Sequence, residues 1–597
     1  MGGCGEGAAI DPFQYHNEVA NSMPEAVFIF TFGPVQSFIS EARRTSDLFT
    51  GSSILVELAK AAGEAIKAHG EVIYPASLGA DVPNIVVGIV PDAEVGDTAR
   101  TAKEALLDRW HRIAQTARAK LTTLQPTPDQ LWQEIWDRQL NRLWEIYWTA
   151  SSKQDYKPAY QEARDALDAT KRVRVFLPAE EAGIKDSLSG CRSAMRTGSM
   201  DATDYWRRIG QNPGITAAKL RPDGRERLDA IGAIKRFSDL AGREDFPSTS
   251  TVASQPFLEK ARPHLADYRD ALQPLRLHKA RPQHADWPYD GDLLFRETLT
   301  PGRLQSSYGV QRPAQQLLES ARLALQKLCD QIGERPSPYY GVIALDGDSM
   351  GERISNCLNE GDPRQTHRDL SHKLARFAAQ VPSVVDTHRG ARVVYNGGDD
   401  VLALAPLSTA FELARQLAEA FHSTTGGSAS AGLAVVHHLY PLGAALRAAR
   451  AAEKQAKQID GKAAVCVHVL RRSGEAVEMC SPWRAVDNTL SDVVRLFQED
   501  RTGTAVSSRL AYDVRQAGYG LPQADQKAKA ELKRLVSRHR NEKHPHVPSS
   551  EDLAERLFQW AQLLPPGTSK SGDPLSSIEE LGQWLVFARF VAQGGRE

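Results

Sequence analysis

At 597 residues the chain is several times the size of an ordinary domain, and its 41% hydrophobic and 25% charged residues leave little room for extended disorder. With 73 basic against 74 acidic residues the formal net charge is -1, which excludes a chain-wide electrostatic footprint for nucleic acid and confines any such contact to local patches or to partners. No apolar run reaches the ~20 residues needed to span a bilayer, so a cytoplasmic protein without membrane contact is expected.

Taken in chain order, residues 1–23 read as a flexible leader. The apolar run Ala26 to Phe32 then predicts a strand, closed by Gly33-Pro34 and followed by a helix to about Ala68. Strands at Glu71 to Tyr74 and Pro83 to Val90 and an Ala/Arg-rich helix complete an α/β unit assigned to residues 24–123. From Leu124 to Thr298 the pattern turns helical and irregular, with tryptophans at 132, 136, 144 and 148 at helix-like spacings. That stretch, extended to residue 335, is expected to be a helical insertion. Cysteines at 4, 191, 329, 357, 466 and 480 form no C-x-x-C pair, which predicts neither disulfides nor a zinc site.

Residues 336–480 alternate cleanly. A strand from Val342 to Asp346 precedes helices to about Val381, a hairpin of strands Arg392 to Tyr395 and Val401 to Ala405, and a helix to His422. Strand Ser430 to Val436, helix Leu442 to Gln458 and strand Ala463 to Val469 follow. Strand, helix, hairpin, helix, strand is the ferredoxin-like, or palm, arrangement. Residues 481–597 read as a C-terminal helical domain.

Within this palm the wholly apolar strand Val342 to Leu345 runs into Asp346, with Asp348 two residues on, where an extended backbone would aim both acids to one side. The hairpin carries YNGGDD, Tyr395 to Asp400, which puts Gly397 and Gly398 in the turn and Asp399 and Asp400 just after it. Strand-end aspartates suit hard cations, Mg2+ or Mn2+, that neutralise a triphosphate and stabilise attacking and leaving oxygens during phosphoryl transfer. Asp346, Asp399 and Asp400 are therefore the candidate catalytic and metal residues. Gly347, Asp348, Ser349 and Gly351 surround the start of a helix whose free N–H groups suit phosphate, and the turn glycines let the backbone approach a nucleotide. Arg447, Arg450, Lys454 and Lys457 form a basic stripe, from which Lys454 and Lys457 are the candidates for a triphosphate-binding lysine. His437 and His438 end a strand and are read as core or surface residues.

The segments DGDSMGE, YNGGDDVLAL, SASAGLAVVHHLYPL and AEKQAKQIDG resemble the large palm-domain subunit of type III CRISPR effector complexes, in the Cmr (type III-B) branch. FTFGPVQSFISEARRTSDLFTGS, RERLDAIGAIKR and FPSTSTVA are similar to further signatures of that family. The resemblance implies an α/β multidomain fold with two ferredoxin-like palm domains, a helical insertion and a C-terminal helical bundle. It also implies other Cmr-type subunits, CRISPR RNA and target RNA as partners. The implied activity is target-RNA-triggered conversion of ATP to a cyclic oligoadenylate messenger. The alternatives are conjugation of ATP to S-adenosylmethionine, a scaffold without catalysis, a diguanylate cyclase, or templated synthesis. Two departures qualify what the family implies. The chain contains no His-Asp dipeptide, so no HD nuclease activity is expected, and only Cys191 stands where relatives carry zinc-binding cysteines, so no zinc is expected. The first palm has PNIVV in place of Gly-Gly-Asp-Asp and is expected to be degenerate.

Overall fold

The computed structural model describes residues 24–596 apart from position 80 and segments 125–127, 174–180, 214, 217–218, 241–245, 281–285, 311–312, 473–475, 522–523, 546 and 566–575. The expected leader, residues 1–23, lies outside the described residues.

Two sheets organise the chain. The first contains β1 (Glu25–Gly33), β2 (Glu71–Tyr74), β3 (Ile85–Pro91) and β4 (Glu145–Ser151) in the order β2-β3-β1-β4. Neighbouring strands are all antiparallel, as the ferredoxin-like pattern requires. This corrects two sequence expectations. The sheet draws its fourth strand from beyond residue 123, inside the stretch assigned to a helical insertion. Trp144 and Trp148 also belong to the approach and body of that strand, not to a helix: Trp148 stands opposite Phe30 in the β1–β4 register. Only Trp132 and Trp136 lie on a helix, Gln130–Asn141, with their rings stacked 5.2 Å apart. Local spacing misled because β4 is fixed by pairing with a distant strand and not by its own periodicity.

The second sheet holds β5 (Tyr339–Gly347), β6 (Arg392–Asn396), β7 (Asp400–Pro406), β8 (Ala429–His437), β9 (Ala464–Leu470) and β10 (Val477–Pro482), ordered β10-β9-β8-β5-β7-β6. Its first four strands repeat the ferredoxin-like order, with β9 parallel to β8 and β10 added at the edge. The edge strand was not anticipated, and it brings a third correction. Cys466 and Cys480 face each other across β9 and β10 and are joined by a disulfide. Fourteen residues of separation hide that pairing in a linear reading.

Strand alternation assigns the two faces of β5 to different neighbours. Ile343 and Leu345 pack with Leu374, Phe377, Leu417 and the C-terminal helices through Leu581, Trp584 and Phe587. Tyr340, Val342 and Ala344, with Leu402, Leu404 and Ala434, share one apolar core with Phe28, Phe30, Phe32 and Trp110 of the first unit. The carboxylate-bearing face of the second sheet therefore looks toward the first. Among the described residues, no helix is long and apolar enough to cross a membrane.

The segment RERLDAIGAIKR clamps the insertion to the first unit. Arg236 is fully buried between Asp47 and Glu226, and Glu226 also accepts from Arg44 at 3.0 Å. Lys235, its ammonium 4.2 Å from the Phe38 ring centroid, donates to the Phe38 and Glu41 carbonyls. Burial lowers its pKa to about 8. Replacing Arg236 with Leu removes the guanidinium that bridges two buried carboxylates. The expected cost is about 3–5 kcal/mol of stability in equilibrium denaturation, against less than about 1 kcal/mol for the exposed Arg100→Leu.

Candidate active site

The β5–β7 register pairs Asp346 directly with Asp400, and directly opposed residues project from the same sheet face. Asp399 immediately precedes β7, in the turn. Gly398 there has φ +92, a backbone region that strains any residue with a Cβ. The Gly347 N–H donates to the Asp399 carbonyl at 3.1 Å, which ties the end of β5 to the turn. All three acids thus gather at one strand end.

Cations from a single helix, Leu442–Ala456 and its C-cap, meet them. Arg450 grips Asp400 with two bonds of 2.8 and 3.0 Å, and Lys457 is ion-paired to Asp346 while donating to the Gly347 carbonyl at 3.2 Å. Buried Glu453 sits between, 3.6 Å from Arg450 and 3.7 Å from Lys457. Seven residues is nearly two turns, so Arg450 and Lys457 share a face. The helix lies close because β8 offers Gly432, where a Cβ would stand 2.1 Å from the Ala449 carbonyl oxygen.

Burial, then the charges of Asp346 and Asp400, raise the Asp399 pKa to about 7. Burial raises that of Asp346 as well, opposed by Lys457. Among the described residues, Asp399 is the member of the trio without a hydrogen-bonded cation. Carboxylate oxygens converging in this way suit a hard divalent cation, so the donor set fits Mg2+ or Mn2+.

The remaining candidates divide. Asp348 is buried and turns away from the trio. Its oxygens accept from Ser428 and Ser430 hydroxyls at 2.7 Å and from the Ala463 N–H at 3.0 Å. It latches the ends of β8 and β9, which corrects the expectation that it shares a side with Asp346: the backbone leaves the extended conformation after Gly347, and Ser349 is left-handed at φ 50. Ser349 caps helix Met350–Cys357 and accepts from Lys462 Nζ at 2.5 Å. Gly351 is exposed on that helix. A cavity of about 700 Å³ opens there, lined by Ser349, Gly427, Gln458 and Lys462. Gly397 lies under Tyr395, whose hydroxyl would be 2.1 Å from a Cβ. Lys454 is exposed, one turn from Arg450 but off the face that meets the acids. Of the two candidate lysines the structure brings only Lys457 to the carboxylates.

Sequence reasoning missed Glu453, Lys462 and Tyr74, and named Arg450 only as part of a stripe. The i, i+3, i+7 set Arg450, Glu453 and Lys457 was a legible signal. Tyr74, from β2 of the first sheet, was not: burial and then nearby Asp399 push its phenol pKa far up, and a Cβ at Gly398 would be 3.3 Å from its hydroxyl.

Residues 339–466 match the family described as Cas10/Cmr2, second palm domain, and residues 27–82 match CRISPR-associated protein Cmr2, N-terminal. The chain is similar to the Cas10/Cmr2 family in these two regions. It is 29% identical over 227 residues to the CRISPR system Cmr subunit Cmr2 of Pyrococcus furiosus, and the match spans 33% of this chain and 26% of that relative's length. Two solved structures share the fold at 13% identity. One is a type III-B Cmr-beta in the apo state, with TM-score 0.64 over 96% of this chain and 82% of the other. The second is Cmr-beta bound to cognate target RNA, with TM-score 0.66 over 97% and 84%. The Cas10/Cmr2 palm match, 339–466, contains the whole carboxylate trio and its helix.

The Asp399 carboxyl predicts a pH signature. Its folded pKa, about 7, lies above the ordinary aspartate value, so the folded state holds a proton that the unfolded state releases at lower pH. Its contribution is therefore present below about pH 4 and lost as pH rises through about 7. Without divalent cations, Asp399→Asn should raise the melting temperature at pH 8 by a few degrees and leave it nearly unchanged at pH 4, read by thermal denaturation at both values.

Proposed function

We propose that this chain is the large subunit of an RNA-guided type III-B effector complex. On target RNA binding it converts ATP to a cyclic oligoadenylate by two-metal nucleotidyl transfer. The supporting observation is the cross-strand pair Asp346–Asp400 with Asp399 beside it, faced by Arg450 and Lys457. The comparisons add context: the Pyrococcus furiosus relative is a Cmr subunit, and one similar structure is of a complex bound to target RNA.

On this reading a 3′-hydroxyl attacks the α-phosphorus of ATP, the new P–O bond forms as the bond to pyrophosphate breaks, and the hydroxyl proton is lost. Asp346, Asp399 and Asp400 would hold Mg2+ or Mn2+, which when bound neutralises the triphosphate and stabilises the attacking and leaving oxygens. Lys457 exchanges its carboxylate for phosphate oxygen, and Arg450 keeps Asp400 oriented. The Met350–Cys357 helix presents free N–H groups toward the cavity at Ser349, where phosphate is favoured. Gly397 and Gly398 keep the turn low beside the nucleotide. Asp348 positions the loops through Ser428, Ser430 and Ala463, and exposed Lys454 is at most a peripheral phosphate contact. Other Cmr-type subunits, CRISPR RNA and target RNA would complete the assembly.

The test is the product profile of the assembled complex with magnesium, ATP and matched target RNA, with and without S-adenosylmethionine, beside Asp399→Ala/Asp400→Ala. Cyclic oligoadenylate falling at least about a hundredfold in the variant is expected. A product that requires S-adenosylmethionine would replace cyclisation with conjugation. No product under any condition would leave a scaffold.

A further inference from the structure

At the opposite end of β8 from the carboxylate trio, His437 closes the strand and His438 follows it. Glu297 approaches both from the short turn Arg296–Thr298 in the insertion. One ligand-capable atom from each of the three lies within 4.8 Å of the other two. His438 Nε2 is fully buried and has no hydrogen-bond partner, and the nearest opposite charge, a Glu297 carboxylate oxygen, is 3.9 Å away. That separation is too long for a hydrogen bond, and a small inward turn of the exposed Glu297 side chain brings the oxygen to the ~3.3 Å that separates two ligand atoms on a tetrahedral zinc.

The surroundings hold the rings in place. Ser250 Oγ lies 2.8 Å from His438 Nδ1, the position from which an outer partner fixes the tautomer of a metal-binding imidazole. Phe295 stacks on His438 with centroids 4.1 Å apart, and Tyr339 meets His437 edge-on. The backbone is pinned too, by His438 N–H to the Pro338 carbonyl at 2.7 Å and Thr249 Oγ1 to the His438 carbonyl at 2.9 Å. The Leu439 N–H donates to His437 Nδ1 at 3.1 Å and fixes that ring as well.

We propose that Glu297, His437 and His438 form a structural site for one transition-metal dication, zinc fitting best, that staples the insertion to the second sheet. Two neutral imidazoles and one carboxylate are zinc donors, whereas Mg2+ prefers oxygen. The expectation of no zinc rested on the cysteines, and this donor set contains none. Glu297 is 44% exposed, so it is free to close on an ion and leaves a fourth position for water. Tyr339 pairs with His437 and Asp346 with Ser430, so seven residues of strand, about 23 Å, separate the site from the trio.

The decisive experiment uses untagged full chain carrying Asp399→Ala/Asp400→Ala, so that the trio contributes no binding. The protein is stripped with chelator, titrated with Co2+ and then challenged with Zn2+. Expected are a tetrahedral-type visible spectrum saturating near one Co2+ per chain, its loss on adding Zn2+, and a zinc-dependent rise in melting temperature. Glu297→Gln, at an exposed position that should leave the metal-free fold intact, should weaken Co2+ binding at least about tenfold, and His438→Ala should abolish the spectrum. No cobalt spectrum with no zinc-dependent stabilisation overturns the proposal. So does binding that neither variant changes, or a spectrum dominated by thiolate charge transfer.

Discussion

Three carboxylates at one strand end repel one another, and the arrangement of the second sheet answers that repulsion. The β5–β7 register places Asp346 against Asp400, and Asp399 follows from chain continuity, so the charges cannot separate without breaking the ladder. Relief has to come from cations, and one helix delivers both. That helix reaches β8 only because Gly432 has no side chain to hold it off. A residue that carries no chemistry thereby sets the distance at which Arg450 and Lys457 act.

The first sheet shows what remains when this demand is absent. It has the same strand order, yet in the β1–β3 register the pair corresponding to Asp346–Asp400 is Thr31–Ile85. With no charge to hold, it carries no such cation pair, and its apolar face merges into the core under the carboxylate side of the second sheet. The two units divide the labour: one supplies the acids, the other a wall. Tyr74 brings that wall against the Gly397-Gly398 turn, where burial and nearby Asp399 raise its phenol pKa.

How much of this the sequence revealed depended on the range of the interactions. The strands of the second palm were readable because each is a short apolar run bounded by turn residues, and the acids fall at the run ends. β4 was lost because its seven residues, EIYWTAS, carry aromatics at positions a helix would also allow, and only pairing with β1 decides. The direction of Asp348 turned on one left-handed residue, Ser349, and the Cys466–Cys480 pairing on an edge strand with no strong run of its own. Lys454 and Lys457 looked equivalent in a stripe, but a helix seen from the sheet presents only one edge. The selection was visible in the spacing of Arg450, Glu453 and Lys457 once the partner face was known. Tyr74 lies more than 300 positions from the turn it covers, beyond any local pattern.

The two ion pairs at the site are not equivalent, and the difference bears on the proposed chemistry. Arg450 holds Asp400 through both oxygens with a planar fork, a geometry that gives up one bond only by giving up both. Lys457 ends in a rotatable ammonium that touches one oxygen of Asp346 and one carbonyl, and its charge turns toward a new anion by a change of side-chain torsion alone. Glu453 stands within 4 Å of both cations and offsets part of their charge while buried. On the proposed function, an arriving triphosphate would be met by one fixed and one movable cation. Asp346 would become free for a metal as Lys457 left it for phosphate, and nucleotide arrival would then be coupled to assembly of the carboxylate trio.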